Sequence, residues 1–193
     1  MIRAVIFDFD GTLIQTEKLK AEAYAQAAVQ LMPEQVVKED VLEAFRDFVG
    51  GSREEVSKGL LERFELGEAA SSHMAEFSAS EPWQVLTRLR MQIYEAMLAD
   101  EETIRQAAWE HNMALLRQVR EAQCKLGLAT MSHCQQVGHL LHALELESAF
   151  DFIATREDVD QPKPDPELYQ LVARNLDIPL SDTLIIEDSV AGV

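Results

Sequence analysis

The chain has 193 residues, 47% of them hydrophobic and 26% charged, proportions that suit a globular protein with one sizeable core and room for a smaller inserted domain. Its 34 acidic and 17 basic side chains give a formal charge of −17, which disfavours nucleic acid and acidic membrane surfaces through long-range repulsion. No apolar run approaches the ~18 residues that a bilayer crossing needs, and the N-terminus opens on a strand-like segment, Ile2 to Phe7, so a cytoplasmic protein without a membrane anchor is expected. Cys124 and Cys134 form neither a metal-ligand pattern nor a disulfide framework and read as reduced thiols.

Ala4-Val5-Ile6-Phe7 is too brief for a helix and is halted by the turn signal Asp8-Phe9-Asp10-Gly11, which predicts a buried strand. Similar runs return only at Cys124–Ala129, Phe152–Ala154 and Leu184–Ile186, with helical patterns between them. That alternation predicts an α/β fold with a parallel, doubly wound sheet and right-handed crossovers. Residues 8–123 separate the first two strands, far more than one crossover helix requires, so a second domain is expected there. Val85, Leu86, Leu89, Ile93 and Met97, and again Leu115, Leu116 and Val119, follow helical spacing and predict a helical bundle. The stretch from Gly67 to Pro82, rich in Ala, Ser and Glu, reads as a loop or mobile connection. The expected division is a discontinuous core of residues 1–14 and 100–193 around a helical domain of residues 15–99.

In a doubly wound fold, ligands bind beyond the carboxyl ends of the strands. Asp8 and Asp10 follow the first strand, Thr130 the second and Glu187-Asp188 the fourth, while Lys163, in Gln161-Pro162-Lys163-Pro164, follows the third by a loop. A single Asp in such a place is more often a turn former or helix cap, but the convergence of all these groups points to a site. The Asp8 carboxylate can attack phosphorus, splitting hydrolysis into two easier steps through an aspartyl phosphate. Asp10 can protonate the leaving oxygen and then take a proton from the attacking water, and Gly11 permits the tight reversal between the two. Four carboxylates in one cleft, Asp8, Asp10, Glu187 and Asp188, demand a cation, and an all-oxygen set favours magnesium. Lys163 and the metal would screen Asp8 from the phosphate dianion, and Thr130 would donate its hydroxyl to a phosphate oxygen.

With these motifs in order, the chain resembles the haloacid dehalogenase superfamily, specifically its phosphatase and β-phosphoglucomutase-like branch with a helical cap inserted after the first strand. The resemblance runs from Ile2 to the last residue. It implies a Rossmann-like core, Mg2+ as cofactor and a small phosphorylated metabolite as substrate, with Asp8 as nucleophile and Asp10 as acid and base. Thr130 and Lys163 would hold the phosphoryl group, and Glu187 and Asp188 would complete the magnesium site. The presence of Asp10 resembles the phosphate-processing members, since the true dehalogenases lack it. Val49-Gly50-Gly51-Ser52-Arg53-Glu54-Glu55 looks like the family's specificity loop, where Arg53 grips a second anionic group of the substrate. The same residues spell a helix start, with Ser52 as N-cap and Glu55 as its reciprocal partner. His133 occupies a place where relatives often carry a basic residue facing substrate, and a solvent-exposed or helix-capping role suits it as well.

Lys20 stands in the register where mutases of this branch carry a cap-helix histidine, so magnesium-dependent hydrolysis is the leading expectation. A sugar-phosphate mutase and an incomplete, non-catalytic domain are its rivals. Glu110-His111-Asn112 lies where the family usually has a Pro-Gly turn. Relatives continue past the acidic motif through a helix and at least one further strand, so C-terminal core elements are expected to be missing. The strand bearing Glu187 and Asp188 would then form a sheet edge of lowered stability. Neither the identity of the substrate nor the oligomeric state follows from these residues.

Overall fold

Ala4–Phe7 (β1), Lys125–Ala129 (β2), Phe152–Ala154 (β3) and Thr183–Ile186 (β4) form one parallel sheet in the order β3, β2, β1, β4. The computed structural model describes residues 1–190 and 192. Its helices are Thr16–Leu31 (α1), Lys38–Phe45 (α2), Arg53–Arg63 (α3), Gly67–Ser72 (α4), Pro82–Ala99 (α5), Glu101–Gln106 (α6), Glu110–Glu121 (α7), Cys134–Ala143 (α8) and Glu167–Asn175 (α9). The chain divides into two compact units, Met1–Thr16 with Glu101–Val193, and Glu17–Asp100. Among the described residues no helix is long and apolar enough to cross a membrane.

The first unit is the doubly wound α/β sheet with its helices. All four residues of β1 are buried, as a strand flanked on both sides by neighbours requires. β4 is an edge strand, and its Leu184 and Ile185 are 46% and 36% exposed. Leu168, Tyr169, Val172 and Ala173 from α9, with Leu176 just past its end, pack with Ala4, Ile6, Ala129 and Ala154 of the sheet. Their close approach depends on Gly127 in β2, where an added Cβ would lie 2.3 Å from Val172 Cγ1.

The second unit is all-helical, with Leu60, Leu66, Val85 and Leu86 fully buried at its centre. Burying side chains of this kind is worth about 1.5–3 kcal/mol each. The start of α3 forms the capping box read from the sequence: the Glu55 N–H donates to Ser52 Oγ at 3.2 Å and the Ser52 N–H to Glu55 Oε2 at 2.8 Å. Pro82 opens α5, where its missing N–H costs nothing.

Two local expectations are corrected. Gly67 to Pro82 does not run as loop throughout, because Gly67–Ser72 is helical; Ala70 is fully buried, and the Ser71 and Ser72 hydroxyls donate to the carbonyls of Gly67 and Ala69. Leu115, Leu116 and Val119 lie on a helix as their spacing required, but that helix, α7, belongs to the sheet-bearing unit.

Candidate active site

Strand register decides which side chains meet. Phe7 lies opposite Leu128 of β2 and Ile186 of β4, so the residues that follow, Asp8, Ala129-Thr130 and Glu187-Asp188, emerge at the same end of the sheet. The Asp8 N–H donates to the Ile186 carbonyl at 2.9 Å, carrying the β1–β4 pairing one residue beyond the strand and holding Asp8 beside Glu187. The chain then turns through Gly11 at φ +88°, a left-handed conformation that suits glycine, and a Cβ there would lie 2.0 Å from Asp188 Oδ2. The segment after the turn is tied to its own unit: Asn112 Nδ2 donates to the Thr12 carbonyl at 2.6 Å, and the Gln15 and Trp109 N–H groups donate to the carbonyls of Ala107 and Leu13.

Lys163 reaches this sheet end from the loop after β3. Its side chain is 9% exposed, and its ammonium donates to Asp8 Oδ1 at 2.7 Å, to Glu187 Oε2 at 2.8 Å and to the Ala129 carbonyl at 3.3 Å. All three donors of the ammonium are thereby used. Glu187 is held on both oxygens: Tyr169 donates its hydroxyl to Oε2 at 2.5 Å, and Ser189 donates to Oε1 from its hydroxyl at 2.6 Å and its N–H at 3.3 Å. The Tyr169 ring centroid lies 4.9 Å from the lysine nitrogen.

Asp8, Glu187 and Asp188 each offer a carboxylate oxygen within 4.8 Å of the others. Asp8 is buried, and its Oδ2 has no hydrogen-bond partner. Burial, partly opposed by Lys163 and reinforced by the charges of Glu187 and Asp10, pushes the Asp8 carboxyl up to about 7. Burial and the Glu187 charge likewise raise Asp188. At Glu187, burial works upward but is outweighed by donors from Lys163, Ser189 and Tyr169, leaving it below the ordinary value. At Lys163, burial works downward and is outweighed by Asp8 and Glu187, leaving the ammonium firmly charged. One ammonium therefore faces more carboxylate than it neutralises. Three hard oxygen donors around an orphaned, buried Asp8 oxygen fit a small divalent cation such as Mg2+.

Asp10 lies outside this triplet. The carboxylate expected among the metal ligands turns instead toward the end of β2, where its Oδ2 accepts from Thr130 Oγ1 at 3.1 Å and from Ser132 Oγ at 2.6 Å. Thr130 is fully buried and also accepts the Ser132 N–H at 3.0 Å, so the two hydroxyls and the carboxylate form one small network.

His133 is directed elsewhere: its side chain is 74% exposed, and Nδ1 lies 2.6 Å from Glu157 Oε1. The other Glu157 oxygen accepts the Cys134 N–H at the start of α8, and His133 together with these backbone contacts holds the Glu157 carboxyl down at about 2. Arg53 is the first residue of α3 in the helical unit, with Nη1 3.7 Å from Met91 Sδ. Lys20 is paired with Glu17 at 2.5 Å. Ser132 and Tyr169 of the sheet-bearing unit are not singled out by the sequence, and Asn112 is marked there only as part of the segment in place of a Pro-Gly turn, not for its contact with Thr12. Ser132 carries a weak signal, a second hydroxyl two residues beyond Thr130. Tyr169 carries none, because its place on α9 reads as core.

The family model described as haloacid dehalogenase-like hydrolase matches residues 5–193. The phosphorylated carbohydrates phosphatase of Thermotoga maritima is 28% identical over all of this chain and 79% of its own length, and protein CbbY of Cereibacter sphaeroides is 27% identical over all of this chain and 79% of its own. A solved structure of a β-phosphoglucomutase-like protein from Thermotoga maritima superposes with a TM-score of 0.72 at 26% identity, covering 99% of this chain and 78% of that one. The carboxylate-rich end of a parallel sheet and these relatives agree, and the chain belongs to the haloacid dehalogenase-like hydrolases, within their phosphatase and β-phosphoglucomutase-like group.

Proposed function

We propose that this chain hydrolyses a small phosphorylated metabolite through an aspartyl phosphate on Asp8, with Mg2+ as cofactor. The observation that carries the reading is the state of Asp8 itself: Oδ1 is pinned by Lys163, while Oδ2 is buried and without a partner. An oriented carboxylate with one committed and one uncommitted oxygen is the arrangement a nucleophile needs.

Asp8 Oδ2 attacks phosphorus as the bond to the leaving oxygen breaks, and Asp10 gives that oxygen a proton. Asp10 then takes a proton from the water that attacks the phosphorylated Asp8, releasing inorganic phosphate and restoring the carboxylate. Thr130 and Ser132 support this by fixing Asp10 Oδ2, and no donor among the described residues reaches Oδ1, the oxygen left for proton exchange. Lys163 holds Asp8 in position and screens it from an incoming dianion. Carboxylates of the Asp8, Glu187 and Asp188 cluster would hold the metal, Asp8 by the lone pair of Oδ1 that Lys163 leaves free so that Oδ2 remains the nucleophile, and the metal when bound would supply further neutralisation of the phosphoryl oxygens. The helical unit is assigned substrate selection, with Arg53 as the group for a second anion on the substrate.

A sugar-phosphate mutase is the second reading, favoured by the likeness to β-phosphoglucomutase-like structures. The Lys20–Glu17 pair, in the register where mutases carry a histidine, supports hydrolysis over transfer. Product analysis separates them: inorganic phosphate for the first, an isomeric sugar phosphate for the second. The decisive experiment is steady-state hydrolysis of p-nitrophenyl phosphate with magnesium by the wild-type chain and by Asp8→Asn. The variant, and the wild type after chelation of the metal, are expected to lose phosphate release by ~10⁴-fold or more, as removal of a nucleophile does. Retained turnover in Asp8→Asn excludes the covalent route.

A further inference from the structure

We propose that Tyr169 is a positioning residue that keeps Glu187 out of the metal's ligand set and commits it to Lys163, so that cation binding falls to Asp8 and Asp188. The proposal rests on reading this sheet end as a divalent-cation site and refines which carboxylates serve it.

A carboxylate has two oxygens and about four lone-pair directions. Glu187 has four donors: Lys163 and Tyr169 on Oε2, and the hydroxyl and N–H of Ser189 on Oε1. Its accepting capacity is filled within the protein. Asp8 differs, with the Lys163 donor on Oδ1 and none on the interior Oδ2, and Asp188 has a backbone donor but receives no side-chain donor among the described residues. Of three clustered carboxylates, two have oxygens to give and one does not.

Tyr169 makes that difference durable. It is 6% exposed and packed on α9 among Ala4, Ile6, Leu168, Val172 and Ala173, so its ring cannot follow Glu187 if the carboxylate swings away. The ring alone would satisfy this apolar cluster, as phenylalanine would. The hydroxyl is the additional atom, directed at Glu187 at 2.5 Å, while the ring face lies 4.9 Å from the Lys163 ammonium. A hydrogen bond from a neutral, rigidly held donor to an ionised acceptor is among the stronger ones a protein makes. Removing it leaves Glu187 Oε2 with Lys163 alone and frees that oxygen to turn toward a cation beside Asp8 and Asp188.

The test is Mn2+ binding, followed by electron paramagnetic resonance without substrate, in the wild type, Tyr169→Phe, Glu187→Gln and the double variant, with circular dichroism as the check on folding. Tyr169→Phe is expected to bind Mn2+ about 5- to 10-fold more tightly, as a third carboxylate joins the set, and the gain is expected to vanish in the Glu187→Gln background because the hydroxyl acts only through Glu187. An affinity in Tyr169→Phe that is unchanged or weaker overturns the proposal, as does a gain that persists without the Glu187 carboxylate. Failure of the underlying reading has a different signature: the wild-type chain itself then binds no Mn2+.

Discussion

Each unit of this molecule buries a cation, and the two are accommodated in opposite ways. Lys163, at the carboxyl end of the sheet, is surrounded by ionic partners, Asp8 and Glu187, and its ammonium is more firmly protonated than usual because their pull exceeds the cost of burial. Arg90, on α5 of the helical unit, is 6% exposed and lies between two aromatic faces, with its guanidinium 5.0 Å from the Tyr24 ring centroid and 4.7 Å from that of Tyr94. Its Nε has no hydrogen-bond partner, and burial draws its proton affinity below the ordinary value despite the rings. An ionic enclosure makes a cation part of a charge network in which each member depends on the others. An aromatic enclosure stabilises the cation through ring quadrupoles and ties it to the packing of the fold. Lys163 is thus bound up with chemistry and Arg90 with the architecture of its unit.

Lys163→Met tests the ionic side and carries the largest expected effect. It leaves Asp8 and Glu187 facing each other without a cation, and phosphate release is expected to fall about 10²- to 10³-fold, in the range seen when a single charge-stabilising donor is removed from an active site. Stability of the metal-free chain should fall by about 3–5 kcal/mol, because the remaining carboxylates are buried and uncompensated. Added magnesium should recover much of that stability and little of the turnover, since it replaces charge but not the three directed hydrogen bonds. A midpoint of thermal unfolding that does not respond to magnesium would dissolve the picture of an under-neutralised carboxylate cluster.

Arg90→Met tests the aromatic side. Methionine keeps most of the aliphatic volume and removes the cation, so the loss should be limited to the ring interactions, about 1–2 kcal/mol, or roughly 2–4 °C in unfolding temperature per kcal/mol for a chain of this size. The change should be insensitive to magnesium and nearly insensitive to salt, in contrast to Lys163→Met. Parallel melts of both variants across salt and magnesium concentration measure the contrast directly. Identical responses would show that the two enclosures are energetically alike.

How far these arrangements were legible beforehand follows the range of the interactions. The four strands stood out because short apolar runs, the first of them halted by Asp8-Phe9-Asp10-Gly11, leave few alternatives, and the parallel sheet followed from the helices between them. That Asp8, Thr130, Lys163, Glu187 and Asp188 lie near one sheet end is a consequence of parallel register, which chain order alone anticipates. The direction of each side chain is not. Asp10 turns to Thr130 and Ser132, and His133 to Glu157, because hydroxyl and carboxylate partners close in space and far in sequence settle the rotamer. Tyr169 was invisible as a polar residue since its spacing on α9 is that of a core position, and the hydroxyl's target lies 18 residues away. The helix at Gly67–Ser72 was missed because glycine and serine are poor helix formers; burial of Ala70 and hydroxyl bonds to the preceding turn override that preference.

The ionic side of the comparison is sharpened further by its pH dependence. In the unfolded chain Asp8 titrates near 3.8, whereas burial raises it to about 7 in the folded, metal-free protein. Between those values the folded state binds a proton that the unfolded state does not, so the Asp8 contribution to stability is greatest at low pH, declines as pH rises toward 7 and levels off above it. Asp8→Asn has no such proton. Subtracting its unfolding free energy from that of the metal-free wild type at each pH cancels the carboxylates remote from Asp8. The difference should fall by less than about 1.4 kcal/mol for each pH unit between 5 and 7 and flatten beyond 8. A difference that rises with pH over that interval would mean that Lys163 fully compensates Asp8, leaving the site with no deficit of positive charge for a divalent cation to fill.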